Sequence, residues 1–342
     1  MPNIPPSRTV SFTELKDFQQ CRWMHWVKHT LGWRPKRMPK APETGSAIHA
    51  GLAAFYKNQD PKAAIDAWAL EQPAEAMEGS TEFEDLSIII ASAKIILDRF
   101  MTDPISSRYG TVLDAEQIPI IERRWYLPIP GYNKDVCLVG VWDALTIDKA
   151  DGSLWLRENK TSEKSAPSPD LYLYSAQITI YQYAAHRLGY PVVGTSVLSL
   201  RTVAPKPPNL NKNGSMSRTK IISDWPTYLA ALQSAGLDPT DYDDMRVHYE
   251  EMAPPLVSEL PIYRGRDEIR KFMYGAVWPG IYDMLSPKRR IYRCPTFLCP
   301  RCSYREPCLM SIRGADIEEI LVQQGFQKRR DENEESESEG GE

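Results

Sequence analysis

Long apolar runs are missing from this 342-residue sequence. None approaches the roughly 20 consecutive apolar residues that a membrane-spanning helix needs, so no association with a membrane is expected. The first residues, MPNIPPSRTVSF, lack an apolar signal-peptide core, which makes the cytoplasm the expected location. Neither GxxxxGK nor GxGxxG occurs, so an ATP motor, a dinucleotide enzyme and a nucleotide cofactor have no support. No internal repeat is present. Bases and apolar side chains are both absent from residues 331–342, DENEESESEGGE, which hold seven acids. Such a segment has nothing to bury, and residues 327–342 are expected to form a disordered acidic tail. The net charge of −4 is therefore misleading, because setting aside the seven tail acids leaves the first 330 residues at +3.

What is present is ordinary for a globular chain: 42% hydrophobic and 25% charged residues. Basic residues concentrate in RPKRMPK (34–40) and PKRRIYR (287–293). Clusters of this kind suit nucleic acid, although most basic runs are merely solvated surface. The 11–32 run reads as a helix with Ser11 and Glu14 as a capping box and Gly32 as its stop. Helices are also expected over 43–58 and over 61–102, with a polar break at 78–81. Three strand-like runs follow, QIPIIERRWYLPI, DVCLVGVWDALTID and GSLWLRENK. A helix over 169–189, capped by Asp170 and stopped by Gly189, leads into the strand-like PVVGTSVLSLRTV. Residues 204–220 read as a polar loop, and 226–251 and 266–285 as helices. This order predicts an α/β fold, a mixed sheet flanked by helices.

Within LWLRENKTS (154–162) an acid, an amide and a base follow three apolar residues. Alternate residues of a strand share a face, so Glu158 and Lys160 project together. The triplet alone is weak, since Glu14-Leu15-Lys16 and Asp60-Pro61-Lys62 match it equally well. Its setting distinguishes it. On the preceding strand Asp143 sits among apolar residues, where an unpartnered carboxylate costs several kcal/mol. It is either a turn cap or ion pair, or a metal ligand. Two carboxylates about 5 Å apart on adjacent strands suit Mg²⁺ or Mn²⁺. A lysine beside them could orient water and stabilise charge on a phosphate. His49 lies on a helix four residues after Gly45, which would permit close approach of another backbone, and imidazole suits Mn²⁺ better than Mg²⁺. Gln177 and Tyr181 fall on one helix face.

Six cysteines are present, and four of them (Cys294, Cys299, Cys302 and Cys308) lie within 15 residues. In a reducing compartment that density points to metal more than to disulfides. Cys299-x2-Cys302-x5-Cys308 needs a fourth ligand to hold zinc or an iron–sulfur cluster. The candidates are Cys21, Cys294, whose spacing resembles plant-type ferredoxins, and Cys137, which reads better as a core residue.

GSAIHAGL, GVWDAL, ENKTS and QITIYQYA, in that order, resemble the GxxxH, GxxD, (D/E)xK and QxxxY motifs of RecB-like nucleases in the PD-(D/E)xK superfamily. The resemblance runs from about residue 11 to 310. It implies a restriction-endonuclease-like core with helical additions and a C-terminal iron–sulfur segment. It implies His49, Asp143, Glu158 and the Asn159 backbone carbonyl as ligands of Mg²⁺ or Mn²⁺. Asp143, Glu158 and Lys160 would be catalytic, and Gln177 and Tyr181 would position DNA. The acid at 158 is Glu where many RecB-like members have Asp. Iron–sulfur members, the AddB nuclease domain and CRISPR-associated RecB-like nucleases, have one cysteine far upstream of such a triplet. That implies Cys21, Cys299, Cys302 and Cys308 around a structural [4Fe–4S] cluster.

One domain over 1–326 is expected: a helical part (11–110), a catalytic core (111–205), a helical and loop region (206–286) and a cysteine segment (287–312). Arg201, Lys212, Arg218, Arg289 and Arg290 are expected to contact the DNA backbone. The expected function is a metal-dependent DNA exonuclease acting on single strands or duplex ends, in phage or bacterial recombination or processing. The alternatives are a CRISPR adaptation nuclease and an inactive iron–sulfur DNA-binding module.

Overall fold

The structure is a computed structural model that describes residues 6–36, 41–71, 81–162 and 169–328. Residues 37–40 of the first basic cluster, 78–80 of the polar break and 329–342 of the expected tail lie outside the described residues, whereas Gln327 and Lys328, expected to begin that tail, are held in a strand. Among the described residues there are nine strands: β1 (Arg8–Ser11), β2 (Trp33–Pro35), β3 (Tyr109–Thr111), β4 (Ile121–Pro128), β5 (Val136–Asp148), β6 (Leu154–Ser162), β7 (Gly194–Arg201), β8 (Val257–Ile262) and β9 (Phe326–Lys328). The chain divides into two compact units. Met1–Pro39, Tyr126–Gly140 and Arg270–Glu342 form one, and Lys40–Trp125 and Val141–Ile269 form the other.

The second unit holds most of the mixed sheet. The end of β5 pairs antiparallel with β6 from Ala144–Arg157 to Ile147–Leu154. β6 runs parallel to β7, placing Glu158 opposite Val197 and Lys160 opposite Ser199. β8 is antiparallel to β7, and β3 to β5. A parallel pair needs a crossover, which the helix Ala176–Arg187 supplies between β6 and β7. β7 is buried along nearly its whole length, as a strand covered on both faces should be. Its alternation sorts the two layers. Leu198 and Leu200 pack with Ile48, Leu52, Ile65, Leu97 and Phe100 of the helices 41–56, 61–70 and 81–102. Val197 packs with Tyr172 and Ile178.

In the first unit, β1 lies parallel to the start of β5. Ser11 caps the helix Phe12–Gln20, its hydroxyl accepting from the Glu14 backbone at 3.1 Å. β2 and β9 pair antiparallel beside a core of Trp23, Val27, Trp33, Tyr304, Leu321 and Phe326. The Tyr304 hydroxyl donates to the Trp33 carbonyl at 2.9 Å.

Several expected elements are subdivided. The helix over 11–32 breaks at Cys21, whose extended backbone (φ −160°, ψ 112°) separates Phe12–Gln20 from Arg22–His25. The helix over 169–189 is two pieces, Pro169–Leu173 and Ala176–Arg187, and the second is capped by Ser175 in place of Asp170. Gly189 does end it, at φ +91°. β6 does not surface at its polar residues, because Glu158 and Asn159 are buried and the strand continues to Ser162. The region 206–286, expected to be helix and loop, contributes β8.

The approach of the helices 41–56 and 81–102 depends on Gly51. A Cβ there would lie 2.1 Å from Leu97 Cδ1 and 3.3 Å from the Pro61 carbonyl. Gly51→Ala is expected to cost about 1–3 kcal/mol through overpacking, read as a lower urea midpoint at unchanged m-value.

Candidate active site

The alternation of β6 assigns two jobs to two faces. On one, the Lys160 ammonium donates to the Glu158 carboxylate, and Gln177 Nε2 donates to the same carboxylate at 2.9 Å. On the other, Arg157 and Asn159 both reach Tyr56. The Tyr56 hydroxyl donates to Asn159 Oδ1 at 3.1 Å and lies 3.3 Å from Arg157 Nε. The buried Arg157 guanidinium also donates to Ser196 Oγ at 2.6 Å, pairs with Glu259 and stacks on Tyr109 at 4.9 Å. Every charge in this buried network therefore has a partner, as burial demands.

Asn159 is where the faces meet. Its backbone N–H donates to Asp143 Oδ2 at 2.6 Å, and its carbonyl accepts from the His49 imidazole. His49 and Asp143, together with Glu122 of β4, bring one ligand atom each within 4.8 Å of one another. Glu158 stands beside this group, close enough to interact with both His49 and Asp143. One imidazole and two carboxylates form a donor set suited to Mn²⁺ or Mg²⁺. Glu122 escaped the sequence reading because it belongs to no motif and precedes a run of charged residues, IERRWYL. Its one local signal is backbone conformation, φ +47° in a residue that is not glycine. Such strain costs on the order of 1–3 kcal/mol and concentrates at functional sites.

Burial dominates the electrostatics. It pushes the Asp143 carboxyl up to about 7, with Glu122 adding to the shift. It pushes Glu158 up to about 7 as well, with the Asp143 charge adding. Burial, partly offset by Glu158, leaves His49 below its ordinary value, hence a neutral imidazole with a lone pair to give. Burial opposes the Lys160 charge too, but the Glu158 carboxylate outweighs it and holds the ammonium protonated.

Of the residues expected to contact DNA, Gln177 bonds Glu158, and the Tyr181 hydroxyl is tied to Gln177 and to the Val141 backbone. Tyr181 also meets Trp125 edge to face at 5.7 Å. Lys212 is exposed on its loop. Arg218 pairs with Asp244 and lies 4.8 Å over Tyr242, while Arg201 is half-buried at the end of β7. In the first unit Arg290 is exposed, and Arg289 donates to the Met284 carbonyl at 3.2 Å. Gly45 admits a side chain rather than the expected backbone, since a Cβ there would lie 2.8 Å from Thr161 Oγ1.

The first unit places Cys21, Cys294, Cys299, Cys302 and Cys308 around one cavity of about 230 Å³, all as free thiols. Cys137 is a buried residue of β5. Three of the cavity sulfurs accept N–H bonds: Cys299 from the Thr296 backbone at 3.3 Å, Cys302 from the Tyr304 backbone and Cys308 from Arg293. Cys302 interacts electrostatically with Cys21, Cys299 and Cys308. The Cys294 thiol instead points to the Tyr292 carbonyl at 4.0 Å.

Among known families, the one described as the PD-(D/E)XK nuclease superfamily matches residues 9–309. No curated protein matches the sequence. A crystal structure from Eubacterium rectale, solved as that of a candidate exonuclease, is 11% identical, with 75% of this chain and 84% of that chain covered and a TM-score of 0.36. A likeness so remote carries no weight for the chemistry.

Asp143 and Glu158 bind protons more tightly folded than unfolded, so without metal the stability they contribute falls as pH rises from about 4 to about 7. With metal the sign reverses, because cations displace those protons. In chelator the melting temperature should therefore fall between pH 5 and pH 8, and Asp143→Asn should flatten the slope. Mn²⁺ affinity, measured by calorimetry, should rise over the same interval. Glu122→Gln should weaken it about tenfold.

Proposed function

The chain belongs to the PD-(D/E)XK nuclease superfamily, and from that membership we propose that it is a metal-dependent deoxyribonuclease trimming single strands or duplex ends. The observation that carries the proposal is the convergence of His49, Glu122 and Asp143 next to the Glu158–Lys160–Gln177 cluster. His49, Glu122 and Asp143 would hold a divalent cation, with Glu158 and the Asn159 carbonyl at hand as further ligands. When bound, that cation supplies Lewis-acid polarisation of the scissile phosphate.

The protein's own groups do the rest. Lys160, kept cationic by Glu158, is placed to donate to a phosphate oxygen and to orient the attacking water. Gln177 fixes the Glu158 carboxylate so that its second oxygen stays directed at the site. Tyr56, itself held by Arg157, fixes the Asn159 side chain and so keeps the Asn159 N–H on Asp143. Water adds to phosphorus, the phosphorus–oxygen bond to the leaving sugar breaks, and the leaving oxygen takes up a proton. The products are one 5′- or 3′-phosphorylated fragment and one with a free hydroxyl. Arg201, Lys212, Arg218, Arg289 and Arg290 would serve the strand's backbone, by charge alone.

Cys21, Cys299, Cys302 and Cys308 are proposed to hold an iron–sulfur cluster of the [4Fe–4S] type, with a structural role. Support comes from the shared cavity and from the N–H donors on three of the four sulfurs, which steady thiolates in such centres. Cys294 lines the same cavity, but Cys302 and Cys308 both interact electrostatically with Cys21, which favours Cys21 as the fourth ligand. The family match covers parts of both compact units, in keeping with 1–326 acting as a single nuclease domain. A cytoplasmic setting in phage or bacterial recombination is the context we favour.

End-labelled DNA incubated with Mn²⁺ should be degraded by the wild type and left intact by Lys160→Ala, a loss of at least 10²-fold. Equal survival of DNA in both would leave an inactive DNA-binding module as the better account. The wild-type protein should be brown when purified without oxygen. Cys21→Ala should lose that colour and Cys294→Ala should keep it, and the reverse pattern would exchange the ligand assignment.

A further inference from the structure

We infer that the open cavity beside His49 and Glu122 receives a single unpaired deoxynucleotide, with its base resting on Trp68. The inference rests on the nuclease reading and narrows its substrate to ends whose last base is free. The cavity measures about 500 Å³, inside the roughly 300–1,000 Å³ range of sites that enclose one small organic molecule.

The lining divides by chemistry. His49 and Glu122 belong to the metal group, so the cavity opens directly onto the place where a phosphate would be cleaved. Gly45, Ala50 and Ala53 come from one face of the helix 41–56 and keep its volume free. Trp68, half-buried on the helix Pro61–Leu70, contributes an indole ring. No lysine or arginine lines the cavity among the described residues. A pocket for phosphate would want such a cation, whereas small side chains beside an indole, with the Glu122 carboxylate among them, suit a sugar and a base. The phosphate then falls to the Lys160 side, where the cationic group is. Lifting a terminal base out of a duplex costs its pairing and stacking, so an already unpaired end enters most readily.

The test uses 2-aminopurine as the terminal base of a single strand, with Mn²⁺ and the Lys160→Ala protein so that the strand stays whole. Stacking on Trp68 should quench the probe. In the Lys160→Ala background, Trp68→Ala should return its emission to that of free DNA and weaken strand binding about tenfold. Ala50→Leu, which fills the cavity from the facing helix, should do the same. A blunt, fully paired end should be quenched least and a mismatched end should lie between. Absence of quenching in Lys160→Ala, or quenching that survives either second substitution, overturns the pocket. Should Trp68→Ala lose its far-ultraviolet circular dichroism, Ala50→Leu decides alone. Digestion by the wild type is read in parallel. DNA cut by the wild type while quenching survives in the variants rejects the pocket and spares the nuclease. DNA left whole by the wild type rejects the nuclease, while quenching that depends on Trp68 still upholds the pocket.

Discussion

The hydrogen bond from the Asn159 backbone to the Asp143 carboxylate is the joint on which the site is built. The β5–β6 ladder reaches Ala144–Arg157 and stops. Two residues beyond Arg157, a side-chain oxygen of Asp143 takes up the Asn159 N–H in place of a backbone carbonyl. That single exchange fixes an acid in a buried place beside His49 and Glu122, where burial raises its proton affinity even though the N–H bond opposes the rise. It also ties the orientation of the carboxylate to that of Asn159, which Tyr56 and Arg157 hold from the opposite face of the same strand.

Burying the charged groups of β6 is tolerable because they are partnered. Arg157 has Glu259, Ser196, Tyr56 and the face of Tyr109. Lys160 has Glu158, and Glu158 has Gln177. The acids nearest the proposed cation are left with the least compensation, and their raised proton affinities express that deficit. The divalent cation proposed for the site would relieve it. The left-handed backbone of Glu122 belongs to the same pattern, local strain tolerated where a ligand has to be aimed.

Much of this was legible from local pattern. The alternation of LWLRENKTS placed Glu158 with Lys160, and Ser11 and Gly189 marked true helix ends. What failed failed for tertiary reasons. The 11–32 run has helical composition throughout, yet it breaks at Cys21, which faces the cavity that the C-terminal cysteines also line. The 169–189 run breaks before Ser175, whose hydroxyl caps the helix that carries Gln177. β8 was missed because a short strand interrupted by Pro261 shows little alternation of its own and is recruited by pairing with β7.

The sequence by itself determined which chemical groups are available and the faces on which they stand, because the periods of strand and helix are properties of the local chain. It could not reveal Glu122, since that residue joins His49 and Asp143 only through the packing of β4, β5 and the helix 41–56. Nor could it show that Cys21 and the four C-terminal cysteines line one cavity. Those matters were decided by the tertiary structure, which alone brings residues distant in the chain close enough to share a ligand or a proton.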